Sequence, residues 1–391
     1  MKNTNTKKFN TIFYIGVLLF SAAFLFFGNR IASEGMFTPE FEPLPVYSAV
    51  VTEITGRDEE QLDFGWGYYV TNLRIFFDAR ITSGELRDEI VSAEFTEMSI
   101  HEMSHKEVEV GDRVMLIYHE HINTFFFMDY ERINYILILG GIFFVLIVLF
   151  GRKKGFNSFL SLGFVCMAIF MVFIPAILSG MNIYVVATII CIYSIVSTLL
   201  IVIGPNKKAV SAMLGCLGGV LFAGILMFSM DSIMHLTGLV DSEARSLLNI
   251  PLENPINIRA IIFAGVIIGS TGAIMDVAMS ISSSLWEVRQ AGGASNFRSI
   301  FKSGIEIGKD ILGTMLNTLI LAYIGSSLSV ILLLTAGATS FLDLVNREMI
   351  IVEFLRALVG SFGMFLTIPL TAAICGWLYR RSYEDKSQHF I

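Results

Sequence analysis

Long apolar stretches are the feature that most constrains the fold of this chain. Several runs approach or exceed the roughly 20 residues that an α-helix needs to cross about 30 Å of hydrocarbon. With 54% hydrophobic and 16% charged residues, a chain of 391 residues has too little polar surface for a soluble globule. The sequence therefore predicts a polytopic α-helical membrane protein with about eight spans. These lie at residues 11–28, 133–150, 157–179, 183–203, 210–230, 257–286, 311–335 and 350–378.

Lysine and arginine predict the orientation of these segments. Basic residues collect on alternate sides of the spans, and cytoplasmic loops are enriched in them. The pattern predicts a plasma-membrane protein with both termini cytoplasmic and residues 29–132 outside. The cytoplasmic groups are Lys2, Lys7 and Lys8; Arg152, Lys153 and Lys154; Lys207 and Lys208; Arg289, Arg298, Lys302 and Lys309; and Arg380, Arg381 and Lys386.

The predicted domains follow from this topology. Residues 1–28 predict an uncleaved N-terminal membrane anchor, because the apolar run continues past the small residues 21–23. A secretory signal cleaved after these small residues is the alternative. Residues 133–379 form a seven-helix membrane domain. Residues 380–391 form a cytoplasmic tail.

The external segment, residues 29–132, has a β-strand pattern. Apolar and polar residues tend to alternate in residues 47–54 and 70–77, and turn residues separate the runs at 55–58 and 83–85. Gly111 and Asp112 predict a tight turn into another strand. These features predict a small β-rich domain, an OB-like or SH3-like barrel of about five strands.

One metal-binding motif occurs in this external segment. Residues 101–105 read HEMSH, which satisfies the H-E-x-x-H pattern of zinc proteases. That chemistry needs a long helix to place His101 and His105 on one face, yet a turn is predicted at Gly111, a few residues away. The context favours a solvated loop, and weak metal binding or proteolysis are the alternatives.

A polar stripe interrupts the sixth span. Gly265, Gly269, Gly272, Asp276, Ser280 and Ser283 recur at helical spacing, and the seventh span carries Thr314 and Asn317. A carboxylate at the bilayer centre costs about 2.5–3.5 kcal/mol on insertion scales, so Asp276 should face protein or water. These residues predict a substrate or ion path formed by Asp276, Ser280, Ser283, Thr314 and Asn317. Alternatively, Asp276 is a structural acceptor bonded to Asn317.

Other residues in the spans predict helix packing. GxxxG steps at Gly215 and Gly219 and at Gly265 and Gly269 allow close backbone approach, and Gly272 continues the second step. Glu353 and Arg356 are three residues apart and predict a structural ion pair. Residues 296–308 predict an amphipathic helix on the cytoplasmic membrane surface.

Several function classes find no support in the sequence. Nucleophile elbows and phosphate-cradling glycine loops are absent, so neither an enzyme nor a cofactor is predicted. The four cysteines lie within predicted spans, and the predicted external domain has none. The expected partner is the lipid bilayer, not nucleic acid.

Three segments resemble the YibE/F family of bacterial multispan membrane proteins. They are FAGVIIGSTGAIMDVAMSISSSLWEV, FKSGIEIGKDILGTMLNTLILAYIGSSL and EFLRALVGSFGMFLTIPLTA. The resemblance covers nearly the whole chain from about residue 129 onward. The external domain before it resembles, more loosely, the variable front part of the longer, YibE-like members. It implies a shorter YibF-like protein as a partner, and it assigns no catalytic residues. A second copy of the chain is the alternative partner.

Two functions follow as hypotheses. A transporter or permease component would use the polar site between the sixth and seventh spans. A non-transporting scaffold or sensor would instead bind a ligand or envelope partner through its external β domain. The sequence does not specify the substrate.

Overall fold

The computed structural model is mostly helical, with a small β-barrel near its N-terminal end. It describes residues 2–37, 44–63, 69–99, 106–120, 122–240, 242–252, 255–293, 296–337 and 340–387. The chain divides into two compact units, residues 38–146 and residues 1–37 together with 147–391. Residues 133–146, predicted to belong with the helices, fall in the unit that contains the barrel, and their side chains are largely exposed.

The barrel has five strands, β1 (Val46–Asp63), β2 (Tyr69–Ile81), β3 (Ile90–Ser99), β4 (Arg113–His119) and β5 (Thr124–Tyr130). They close in the order β1-β2-β3-β5-β4, and the β3–β5 pair is parallel. The predicted barrel is confirmed, and the crossover in its strand order fits the OB-like alternative.

Alternating side chains build the barrel core. Ile75, Phe77, Ala79 and Ile81 of β2 are buried, because successive residues of a strand point to opposite faces. The predicted turn before β4 is present, with Gly111 at a φ of 94°. The turn predicted at residues 55–58 is wrong, because β1 continues through it with a register shift next to Gly56.

The helices are α1 (Lys2–Ala32), α2 (Ile133–Ala168), α3 (Ile174–Leu178), α4 (Ile183–Val202), α5 (Lys207–Met234), α6 (Ser242–Leu247), α7 (Ile258–Gln290), α8 (Phe297–Ser326), α9 (Leu328–Gly337), α10 (Phe341–Asn346) and α11 (Glu348–Ser387). A π-helical turn (Ile169–Phe173) joins α2 to α3. Within the described residues, seven helices are long and apolar enough to cross a membrane.

Two predicted spans share one helical run. The run Ile133–Leu178 has 46 residues, which would extend about 69 Å if it were straight. It is broken at Arg152, whose φ of 47° and ψ of −128° are not helical. The break separates the segments predicted at residues 133–150 and 157–179. The about eight predicted spans and the seven long apolar helices differ in number because this run counts as two spans but as one helix.

The helical core is centred on α5, α7 and α11. Buried residues from these helices form its centre, among them Met227, Ile274 and Met364. Helix α8 packs against α11, and α4 packs against α7. A second cluster joins α1, the end of α2, α4 and the start of α7.

Helix α8 corrects the prediction for residues 296–308. These residues do not form a separate amphipathic helix but the first turns of α8, which continues to Ser326. A Cβ atom at Gly304 would lie 2.6 Å from the Cβ of Ala372, and one at Gly308 would overlap Ile368. Close packing on α11 therefore holds this segment in the bundle. The span predicted at 311–335 is divided at Ser327 between α8 and α9.

Candidate functional site

A cavity of about 370 Å³ surrounds the exposed side chain of Asp276 on α7. Its walls come from α2, α4 and α7. The residues that line it are Ser158, Ser161, Leu162, Val165, Ile190, Cys191, Ser194, Thr198, Val202, Ile268, Thr271, Gly272, Met275, Asp276 and Met279.

The pattern of α7 places Asp276 on this side of the helix. Ile274, Val277, Ala278 and Ile281 are buried in the helical core. The stripe that contains Gly272 and Asp276 lies on another face of α7 and is exposed. The carboxylate of Asp276 is therefore exposed to the cavity and is not packed in the helical core.

Hydroxyl groups give the cavity its polar character. Ser161 Oγ on α2 donates to Thr198 Oγ1 on α4 at 2.8 Å, which joins two walls. Thr271 Oγ1 donates to the backbone oxygen of Ile267 at 2.7 Å. Within the described part of the chain, Asp276 has no cationic partner. The arrangement offers a carboxylate and several hydroxyl oxygens, which are donor atoms that suit a proton or a hard cation.

The cavity contains only one of the predicted path residues. Ser280 and Ser283 are half-buried on α7 and do not line it. Thr314 and Asn317 are exposed on α8, and Thr314 Oγ1 donates to the Ile311 backbone oxygen at 2.9 Å.

The neighbours predicted for Asp276 therefore differ from the observed ones. Because Gly304 and Gly308 hold α8 against α11, no residue of α8 reaches this cavity. Asn317, the alternative hydrogen-bond partner predicted for Asp276, is exposed on α8 and does not line the cavity.

Sequence reasoning missed the hydroxyl residues of the second wall. Ser194 and Thr198 are four residues apart on α4, and Ser158 and Ser161 are three apart on α2, so each pair lies on one helix face. That spacing was a usable signal for a polar face. It did not reveal that α2 and α4 are the helices that meet Asp276.

The predicted packing glycines fall into two groups. A Cβ atom at Gly215 would overlap Thr371 Oγ1, and one at Gly219 would overlap Thr367 Oγ1. These two glycines therefore let α5 approach α11 closely. A Cβ at Gly269 would lie 3.3 Å from the Tyr323 hydroxyl, whereas Gly265 and Gly272 have open space around them.

Glu353 and Arg356 form an ion pair on α11. Arg356 Nη1 donates to Glu353 Oε1 at 2.7 Å, and the two side chains are 20% and 30% exposed. Glu353 Oε2 and Arg356 Nε are shielded from solvent and have no hydrogen-bond partner in the described structure. The pair lies outside the Asp276 cavity.

A separate depression of about 870 Å³ lies on the barrel unit. Lys106 Nζ donates to Asp112 at 2.9 Å, and this hydrogen bond raises the pKa of Lys106. Arg132 donates to Asp129 at 2.7 Å, and this bond lowers the pKa of Asp129, aided by the backbone N–H of Tyr130. Two cations of this depression are therefore already paired with carboxylates of the barrel unit.

The HEMSH motif, including His101 and His105, lies outside the described residues. Among the residues that the structure does describe, no group of three or more histidine, cysteine, aspartate or glutamate side chains is placed to hold a metal ion.

The fold and the cavity define a class of protein with several long apolar helices, a carboxylate in a hydroxyl-lined cavity and a small five-stranded barrel. The sequence model of one family, described as YibE/F-like protein, matches residues 139–381. The chain therefore belongs to the YibE/F-like family, and α1 and the barrel lie outside the matched region. No curated protein and no solved structure matches the chain.

Proposed function

We propose that the chain is an integral membrane protein and a transport or permease component whose Asp276 cavity binds a proton or a hard cation on the transport path. The observation that carries the proposal is the exposed carboxylate of Asp276, placed in a long apolar helix and opening into a cavity with hydroxyl groups from neighbouring helices.

The helix surfaces support the membrane placement. Large apolar side chains are exposed along the outside of α2, α4 and α5, including Phe150 at 89%, Ile189 at 46% and Leu221 at 65%. Such a surface is costly in water and favourable in lipid. We place the protein in the plasma membrane with both termini cytoplasmic.

The energetic argument for Asp276 follows from this placement. A carboxylate that faced lipid would cost about 2.5–3.5 kcal/mol on insertion scales, and intramembrane acidic residues commonly face a polar cavity on an ion or proton pathway. The hydroxyl-lined cavity provides that polar environment. Asp276 has no cationic side chain as a partner in the described structure, so its carboxylate is free to bind and release a proton or a hard cation.

The test uses the full chain in proteoliposomes. Proton movement is followed with an entrapped pH-sensitive dye, and uptake of radioactive Na⁺ or Rb⁺ is followed under an imposed gradient. We expect Asp276→Asn to reduce the flux to background, because the amide cannot ionise. Asp310→Asn is the matched control, since Asp310 is exposed on α8 and lies outside the cavity.

A pair of serine variants tests the position of the path. Ser161→Ala removes a hydroxyl from the cavity and should lower the flux, whereas Ser283→Ala should leave it unchanged. Wild-type flux in Asp276→Asn would overturn the proposed site. If Ser283→Ala lowered the flux and Ser161→Ala left it unchanged, the path predicted from the sequence would be favoured instead.

A second candidate function is a scaffold or sensor that binds a ligand or envelope partner through the barrel. It is favoured by one observation, that the barrel is a separate compact unit outside the region matched by the family. In that case the wild-type protein shows no flux, and Asp276→Asn changes only its stability or partner recovery.

A partner chain stays a prediction. A second copy of the chain or a shorter YibF-like protein could form hydrogen bonds with Thr314 and Asn317, which are exposed on α8.

A further inference from the structure

A second cavity, of about 830 Å³, lies between α1, α2 and the connection from α4 to α5. Its volume is within the range of about 300–1,000 Å³ that is typical of small-molecule sites. Apolar side chains from each of these elements line much of it, among them Phe13, Phe156 and Ile203. Among the lining residues that the structure describes, Val202 alone also lines the Asp276 cavity.

Hydrogen bonds fix the polar side of this cavity. The Tyr14 hydroxyl on α1 donates to Asn157 Oδ1 on α2 at 3.0 Å. The Asn157 amide Nδ2 donates in turn to the backbone oxygen of Ile201 on α4 at 2.9 Å. This chain of bonds joins the elements that form the walls, so the cavity is built by the fold.

Two cations line the cavity without a carboxylate. Arg152 and Lys153 are exposed, and neither forms an ion pair with the described residues. No aspartate or glutamate is among the lining residues that the structure describes. By contrast, the nearby Lys208 is already paired with Glu287 at 2.7 Å. The cavity therefore has a net positive charge that its own walls do not compensate.

The backbone at Arg152 is strained. Its φ of 47° with a ψ of −128° lies in a region that suits glycine and disfavours a residue with a side chain. The chain nonetheless has an arginine here, directly after Gly151. Strain of this kind persists where the surrounding structure holds the residue in place, and it occurs often at functional sites.

We propose that this cavity binds the headgroup of an anionic phospholipid, with Arg152 and Lys153 on the phosphate and the apolar side chains against the acyl chains. Guanidinium groups bind phosphate through paired hydrogen bonds, and basic pockets between membrane helices on the cytoplasmic side suit anionic headgroups. The apolar lining distinguishes a lipid from free phosphate. The inference rests on the proposed membrane placement.

The test compares lipid binding by the full chain in nanodiscs of phosphatidylcholine with increasing phosphatidylglycerol. Lipids that stay bound are counted by native mass spectrometry after release into detergent. We expect wild-type protein to retain phosphatidylglycerol at least about tenfold more strongly than phosphatidylcholine, a difference of about 1.4 kcal/mol. We expect R152Q/K153Q to lose this preference. K154Q/K302Q, which removes the same charge outside the cavity, should keep it.

A second variant distinguishes the loss of the guanidinium group from misfolding of the protein. R152G removes the guanidinium but places glycine at the positive φ, so it should fold at least as well as wild type and still weaken phosphatidylglycerol retention. Millimolar inorganic phosphate should not displace the lipid.

Each outcome has a defined meaning. Equal retention of both lipids, an equal loss in K154Q/K302Q, or displacement by phosphate would overturn the lipid site while leaving the membrane placement intact. A chain that stays soluble without detergent would overturn both.

Discussion

At the scale of single residues, one glycine allows the long helical run 133–178 to bend. A Cβ atom at Gly155 would overlap the carbonyl oxygen of Ile147 and lie 2.9 Å from its carbonyl carbon. In a straight helix two residues that are eight apart would be about 12 Å apart along the axis. The chain therefore folds back on itself at Arg152, and this approach requires a residue without a side chain.

Gly155→Ala should accordingly destabilise the protein. The added methyl group meets backbone atoms, which cannot rotate away, and overpacking of this kind costs about 1–3 kcal/mol. The measurement is thermal or denaturant unfolding of the full chain in detergent. The control is Gly163→Ala, later in α2, where a Cβ would meet nothing within 4 Å.

The control should be neutral or slightly stabilising, because alanine favours a helix over glycine by about 1 kcal/mol. If both variants unfold alike, the close approach of Gly155 to Ile147 is not a feature of the folded protein.

At the scale of elements, the sequence predicted most helices and the barrel but not which helices are neighbours. Apolar length predicted the long helices, and alternation predicted strands such as β2, whose buried side chains recur at every second residue. The choice of neighbour depends on contacts such as Gly304 and Gly308 of α8 with α11. Helical spacing on a single segment does not contain that information.

The same limit explains the outcome for the candidate site. Asp276 was recognisable because a carboxylate in an apolar helix is costly. The sequence predicts its polar neighbours on the next helix along the chain, but the residues that share its cavity lie on α2 and α4. Long-range packing, not local pattern, selects them.

A buried tyrosine links α11 to α7. The Tyr379 hydroxyl is within 2.8 Å of Ser282 Oγ and donates to the Ser282 backbone oxygen at 3.0 Å. Tyr379→Phe should reduce the free energy of unfolding by about 0.5–1.5 kcal/mol, the usual net value of a buried hydrogen bond.

Denaturant unfolding in detergent measures this change. Tyr135→Phe is the control, because Tyr135 is 68% exposed and should tolerate the loss of its hydroxyl. An unchanged midpoint in Tyr379→Phe would mean that the α7–α11 contact does not depend on this bond.

At the scale of the whole molecule, the orientation connects the two proposals. Arg152, Lys153 and Lys154 at the break in α2 belong to the basic groups that indicate the cytoplasmic side. If they are cytoplasmic, the cavity at Arg152 faces the leaflet surface whose anionic lipids attract basic side chains. The same charge pattern predicts that residues 29–132 are outside.

Cysteine labelling in intact cells tests this orientation. The background is Cys166→Ser, because Cys166 is exposed whereas Cys191, Cys216 and Cys375 are buried. Glu85→Cys adds a thiol on the barrel and Lys154→Cys adds one beside the break in α2, both at exposed positions. We expect a membrane-impermeant maleimide to label the position-85 variant in intact cells and the position-154 variant only after permeabilisation. The background chain controls for the native thiols. The opposite labelling pattern would invert the topology and place the basic cavity at the outer surface, where an anionic lipid of the inner leaflet could not reach it.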